Sequence, residues 1–472
     1  MDPNLPQQVS PQPVAKPQPV ASQPAPLDPY YAPPSGGSKI KKIAIVLVII
    51  LLLVGLVFGA IFAIGKMKGS GKPKNVTLTY WGLWDESAII QPVIADFERT
   101  HPNIKVQYEK QDIKGLGQYV ERLQTRINKG TGPDIMRFHS SWTLQLKSNL
   151  LAFPKSTVDS TGLEKDFYKT VERDMKIGGA YYGIPLGVDT LSMFVNTKLL
   201  QDKGLAIPDD WNEIYEKYVP ELVVKDQSGK IITPSIAMGT YDNITHAPDI
   251  VAMLLLQNGA DMTDLAAGDG ENAQGALDYY TSFADGDNAV WDGTLDNSTL
   301  AFAKGNLAIY FGYSWDIFTI RALNPALEYQ TVKVPTLAGR NDTVASYWAE
   351  GVSARSKNPK ESFEFLTYLS SREALQKLHA TQAKTRPFGT LYPRKSMAPL
   401  LSSNVLVYPF ISQADNARST FFSSDTYDGD SGMITQMDVY MGNAIRSMNN
   451  NTSSSTAVDT LAKGVAQILS RY

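Results

Sequence analysis

NVTLTYWGLWDESAIIQPVIADFERTHPNIKVQY, residues Asn75 to Tyr108, changes its hydrophobic period twice. Val76, Leu78 and Tyr80 alternate with polar neighbours, the period of a half-buried strand. From Glu86 to Arg99 the apolar residues Ile89, Ile90, Val93, Ile94 and Phe97 fall on one helical stripe. Alternation returns at Ile104, Val106 and Tyr108, so the stretch reads as a βαβ opening. A helix is predicted over Gln118 to Asn128, closed by the Gly-rich stop Lys129-Gly-Thr-Gly-Pro133 and followed by a short strand, Asp134 to Phe138. Strand and helix keep alternating, which makes the class α/β.

Further on, the chain is more helical. Asp249 to Gln257, with its apolar run Ile250 to Leu256, and Ala273 to Phe283 read as core helices of a second lobe. One helix is expected over Pro359 to Ala380, and a last one from Ser455 with Val458, Leu461, Ala462, Val465 and Ile468 on one face.

On the other side of the opening stretch, Ile43 to Ile64 is an uninterrupted apolar run with lysines at both flanks. About 22 residues at about 1.5 Å each give about 33 Å of helix, enough for a hydrocarbon core of about 30 Å. The expected organisation is a disordered, proline-rich tail (1–38), a transmembrane anchor (39–66) and a basic linker (67–74) ahead of the folded part. A cleaved signal peptide is the alternative, although the run is longer than the usual h-region and lies far from the N-terminus. Lysines on both flanks leave the orientation open on charge alone.

With 472 residues, the chain has room for about two domains of ordinary size after the anchor. Its formal net charge of −3 carries no electrostatic footprint for nucleic acid. The absence of cysteine excludes disulfides, thiolate metal sites, a cysteine nucleophile and lipid attachment through a thiol.

Several separated stretches then fall into one order. They are Gly130-Thr-Gly-Pro-Asp134; Gly178-Gly-Ala-Tyr-Tyr-Gly-Ile-Pro185 with Asp189 and Val195-Asn-Thr-Lys198; Ile207-Pro-Asp-Asp-Trp211-Asn-Glu213; Gln257-Asn-Gly259; Phe302-Ala-Lys-Gly305-Asn-Leu-Ala308; Gly312-Tyr-Ser-Trp315; and Gly351-Val-Ser353 before Phe363, Phe365 and Leu366. Each alone is weak. In this order they resemble the extracellular solute-binding proteins of ABC importers, in the sugar-binding group that includes maltose-binding protein. The resemblance implies a two-lobed, periplasmic-binding-protein-like α/β fold with a hinge, lobe one at 75–186 and 335–375 and lobe two at 187–334 and 376–472. Crossings are expected near Leu186 to Asp189, Val334 to Pro335 and Ser370 to Ala383. It also implies a single-pass protein with a cytoplasmic N-terminus and an extracellular bulk. Related proteins hang from a lipidated cysteine or are released after cleavage, and here an uncleaved helix would replace both devices.

A saccharide presents flat C–H patches that stack on aromatic rings and hydroxyls that need fixed donors and acceptors. Trp81, Trp84 and Asp85 sit where the first strand gives way to a helix, and Trp84 and Asp85 match the family's first cleft loop. Phe138, His139 and Ser140 follow the strand that begins at Asp134, a place where cleft residues gather in α/β lobes; Trp142 beside them fits helix packing equally well. Asp189 and Thr190 lie just past a crossing, Ser314 and Trp315 fall on the family's glycine-to-tryptophan segment, Glu350 is preferred over Trp348 as the polar group before Gly351, and Arg386 completes the set. Trp211 is assigned to helix-start packing, and Trp291 matches no motif.

The expected function is capture of a sugar or oligosaccharide between the lobes and delivery to ABC permease subunits, by a monomer anchored in the lipid bilayer. No catalytic residue, metal site or cofactor is expected. Two other readings stay open. An anchored glycoside hydrolase lacks any supporting carboxylate spacing, and a sensory or adhesive ectodomain lacks a signalling domain on its N-terminal side.

Overall fold

The computed structural model describes residues 74–112, 115–286 and 289–472. The predicted tail and anchor, and all but the last residue of the predicted linker, lie outside the described residues; among those described, no helix is long and apolar enough to cross a membrane. The opening reads β1 (Val76–Gly82), α1 (Ser87–Thr100), β2 (Ile104–Lys110), α2 (Leu116–Asn128) and β3 (Ile135–His139). The chain continues through β4 (Ile184–Pro185), β5 (Asp189–Thr190), β6 (Ser192–Asn196), α3 (Ala247–Gln257), α4 (Glu271–Thr281), β7 (Ile309–Gly312), α5 (Asp316–Leu323) and β8 (Tyr329–Val332). It ends with β9 (Thr343–Ser346), β10 (Trp348–Val352), α6 (Pro359–Leu369), α7 (Arg372–Gln382), β11 (Ala417–Arg418), α8 (Met433–Asn449) and α9 (Ser454–Leu469).

Two lobes follow from two sheets. The first has the order β2-β1-β3-β10-β4, with β1 parallel to both β2 and β3 and with β10 antiparallel to β3 and β4. Ile90, Val93, Ile94 and Phe97 of α1 are buried, as the helical stripe requires. The second lobe is built on β7-β6-β8, all antiparallel, and on helices α3, α4, α8 and α9, which pack on one another. Every residue of α3 is buried, so this helix is core on all sides. A small sheet, β11-β9-β5, lies beside the crossing after β4. At that crossing Gly187 is in close contact: a Cβ would fall 2.1 Å from Thr390 Cγ2 and 2.8 Å from the Leu391 carbonyl.

The single helix expected over Pro359 to Ala380 is two helices, α6 and α7. Ser371 breaks it: its side chain accepts a bond from the Ala374 N–H at 3.2 Å, capping α7, while Arg394 bonds the Ser370 carbonyl with Nε and Nη2. Helix α7 packs on α1, so the lobe boundary drawn at 375/376 falls within a helix that belongs with the first sheet. Helix α8 was not foreseen, although Met433, Met437, Met441 and Ile445 recur every four residues and are buried.

Candidate functional site

A cavity of about 710 Å³ has lining residues from both lobes. Its first wall starts where β1 ends. Trp84 turns out of the strand with φ +67°, unusual for a bulky residue, and is 40% exposed. Its ring stands edge-on to Trp348 at 5.5 Å, and Trp348 in turn meets His139 at 5.1 Å and Trp142 at 5.2 Å. Asp85 is held by Gln382 Nε2 at 2.9 Å and lies 3.5 Å from Arg137 Nη1.

The sheet register explains what lies under this wall. Trp348 pairs with His139 and Glu350 with Arg137, so all four share one face of the β3–β10 ladder. Trp348, His139 and Arg137 reach the cavity, whereas Glu350 sits deeper along its strand and is fully buried. It accepts from Arg137 Nε at 2.6 Å and from the Tyr80 hydroxyl at 2.8 Å. Burial pushes the Glu350 carboxyl up, against the pull of Arg137. Burial takes His139 down to about 3, so it is a neutral ring between Ser141 Oγ at 2.8 Å and Ser346 Oγ at 3.0 Å.

The second wall is built differently. Trp315 lies flat on Tyr313, ring centroids 4.4 Å apart and 14° from parallel. The Tyr313 hydroxyl donates to Asp249 at 2.7 Å, and His246 bonds Asp316 at 2.8 Å. Asp189 accepts from the Ser314 N–H at 3.2 Å and from the Ser314 hydroxyl. Burial raises Asp189 to about 7, more than these bonds lower it. For His246 the burial penalty is outweighed by Asp316, and the imidazole rises to about 9. Between the walls, Arg386 donates to the Phe388 carbonyl at 3.0 Å and to Thr390 Oγ1 at 2.9 Å, over the face of Phe318.

Of the residues chosen from sequence, Trp84, Asp85, His139, Asp189, Ser314, Trp315 and Arg386 line this cavity. The other five do not. Trp81 points to the opposite face of β1 from Tyr80, buried near Tyr119, with Nε1 on Glu109 at 2.9 Å and Arg122 and Arg126 over its ring. Phe138 alternates away from Arg137 and His139 into the core, against Gly183 and Gly351. Ser140 is buried at the start of a helical turn, its N–H on the Tyr347 carbonyl. Thr190 turns away from Asp189, donating to the Phe410 carbonyl at 2.5 Å. Glu350 lies beneath the wall, paired with Arg137. Trp348, ranked below Glu350 in the sequence, is the one of the two that faces the cavity. Arg137, Phe318, Phe388 and residues 424–427 were missed; only for Arg137 was there a signal, its position two residues before His139 on one strand face. Among the described residues no group of His, Asp or Glu has the arrangement of a metal site.

Residues 93–398 match the family of bacterial extracellular solute-binding proteins. The chain belongs to that family. A multiple sugar-binding protein of Streptococcus mutans is 25% identical over 400 residues, covering 80% of this chain and 92% of that one. The structure of the sugar-binding protein MalE of Xanthomonas citri superposes with a TM-score of 0.66 at 20% identity, over 84% of this chain and 98% of the other. The cyclic α-maltosyl-1,6-maltose binding protein of Arthrobacter globiformis gives 0.66 at 17% identity, over 84% and 99%. These likenesses establish the two-lobed α/β fold. A solute-binding protein holds its cargo without making or breaking a bond, so the chain is a carrier and not an enzyme. The carboxylates of the two walls therefore need no acid and base roles.

Proposed function

We propose that this solute-binding protein captures a sugar or oligosaccharide between its lobes and hands it to the permease of an ABC importer. The observation that carries this reading is the pair of tryptophan platforms, Trp84 with Trp348 and Trp315 on Tyr313, on opposite walls of one cavity. Pyranose rings stack their C–H faces on such surfaces, while Asp85, Asp189, Ser314 and Arg386 supply hydrogen-bonding groups for hydroxyls. The sugar-binding name of the Streptococcus mutans relative supports the same class of solute. Closure of the lobes by hinge motion around the solute would create the form a permease recognises.

The apolar run Ile43 to Ile64 supports an uncleaved anchor, and the extracellular family supports a folded part outside with the N-terminus cytoplasmic. The protein then works as a monomer tethered beside its permease rather than as a diffusing carrier. Thermal unfolding of the full-length chain against mono- and oligosaccharides, polyols and amino acids tests the binding reading. A saccharide at about a hundred times its dissociation constant adds about 2.7 kcal/mol, a rise of a few degrees in the midpoint. No shift with any saccharide, in a protein that unfolds cooperatively, would defeat it.

A further inference from the structure

Residues 423–429 form a strap held by both walls. Ser424 is fixed to the second lobe: its N–H donates to Asp249 Oδ2 at 2.9 Å, and its Oγ lies 2.7 Å from His246 Nδ1. Two residues on, the Thr426 carbonyl accepts from Trp142 Nε1 of the first lobe at 3.1 Å. Tyr427 then packs on Gly117 in the first turn of α2, where a Cβ would come within 2.6 Å of the Tyr427 ring. Between these anchors Asp425 lines the cavity with φ +58°, its side chain exposed, and no hydrogen bond reaches its carboxylate among the described residues.

Among the described residues, two of the cations around the cavity are paired with carboxylates and one is held by neutral groups. Arg137 is paired with Glu350 and lies 3.5 Å from Asp85; Arg386 is held by Phe388, Thr390 and the Phe318 ring; His246 is bonded to Asp316. Asp189, which also lines the cavity, is satisfied among the described residues by Ser314 and the Thr190 N–H. On this side of the cavity an anionic ligand would meet the Asp425 carboxylate, and Arg386, held by neutral groups, is the lining cation among the described residues that no carboxylate pairs. An ammonium would meet an open acceptor.

We propose that Asp425, presented by this strap, is a charge filter: the cavity takes neutral saccharides and those bearing a protonated amine, and rejects saccharides bearing a carboxylate or phosphate. The filter rests on the saccharide-carrier reading above and narrows it. A carboxylate a few ångströms from Asp425 in a partly dehydrated cleft is repelled enough to weaken binding about tenfold or more.

Calorimetric titration of the full-length chain at low salt tests it. The probes are maltose, cellobiose and trehalose, each beside its amino-sugar and its uronate counterpart. For any scaffold that binds, the uronate should be at least about tenfold weaker than the neutral sugar and the amine equal or tighter, with both gaps shrinking as salt screens the cavity. In Asp425→Asn the uronate penalty should fall below about threefold. Equal binding of neutral and uronate forms by the unaltered chain, or a penalty that neither Asp425→Asn nor salt reduces, overturns the filter and leaves the carrier reading standing. If no probe of any charge binds, the saccharide reading falls and the filter with it.

Discussion

Trp315 and Trp348 face one cavity from opposite lobes, but Trp315 lies flat on Tyr313 while Trp348 stands edge-on among Trp84, His139 and Trp142. Their polar backing differs in the same way. Behind the first wall, charge is cancelled in the register of the sheet, Arg137 against Glu350 with Asp85 nearby. Behind the second, Asp189, Asp249 and Asp316 are held by hydroxyls, backbone N–H groups and one imidazole. The first wall is a fixed ion pair under an exposed aromatic lip. The second is a stacked aromatic shelf over Asp189, raised to about 7, and His246, raised to about 9.

The sharpest way to break this contrast is to remove the ion pair. Arg137→Met leaves the Glu350 carboxyl buried without its cation and should cost about 3–5 kcal/mol of stability, read from denaturant unfolding. Arg137→Met with Glu350→Leu should recover most of that loss, because the uncompensated charge is gone; no recovery would mean that the pair is not the support of the first wall.

Smaller effects separate the platforms. Trp315→Ala, on the shelf, should lose about 2 kcal/mol of saccharide affinity, seen as loss of most of the ligand-induced rise in melting temperature. The protein without ligand should still unfold cooperatively.

The pH dependence of stability sharpens the comparison further. Asp189 titrates near 7 when folded and near the ordinary carboxylate value when unfolded, so the folded state binds the extra proton between those values. Its contribution to stability is fully present at low pH and is lost as pH rises through about 7. Relative to the unaltered protein, Asp189→Asn should therefore gain about 2 kcal/mol between pH 5 and pH 8. His246 adds a second loss as pH rises toward about 9, whereas His139, taken down to about 3, favours the folded state more as pH rises from that value toward 6.5. A flat difference between Asp189→Asn and the parent would show that the Asp189 carboxylate is already ionised at pH 5.

Trp84→Ala should have the smallest effect, about 1 kcal/mol of affinity, since this ring is 40% exposed and meets Trp348 only edge-on. An effect larger than that of Trp315→Ala would reverse the ranking of the two walls.

Much of the fold was legible because period is local. The alternation in Val76 to Tyr80 and the stripe from Ile89 to Phe97 identify β1 and α1 without any partner in view. Boundaries were less legible where a single cap decides them, as Ser371 does between α6 and α7. Site residues split along the same line. Trp84, Asp189 and Trp315 stand beside strand ends or crossings that motifs mark, whereas Phe318 and Phe388 face each other at 4.7 Å from segments 70 positions apart that no motif connects.

The sequence by itself determined the α/β class, the order of the family stretches and the aromatic and acidic character of the site, because these depend on residue type and short-range period. Only the tertiary structure decided which of two neighbours faces the cavity. Trp348 and Glu350 share a face of β10, yet Trp348 lines the cavity while Glu350 is buried against Arg137, its partner across the ladder; Asp189 and Thr190 are parted by the alternation of a two-residue strand. The strap that carries Asp425 belongs wholly to this second kind, since its place rests on Trp142, Gly117, His246 and Asp249, far away in the chain and brought to it by the packing of the two lobes.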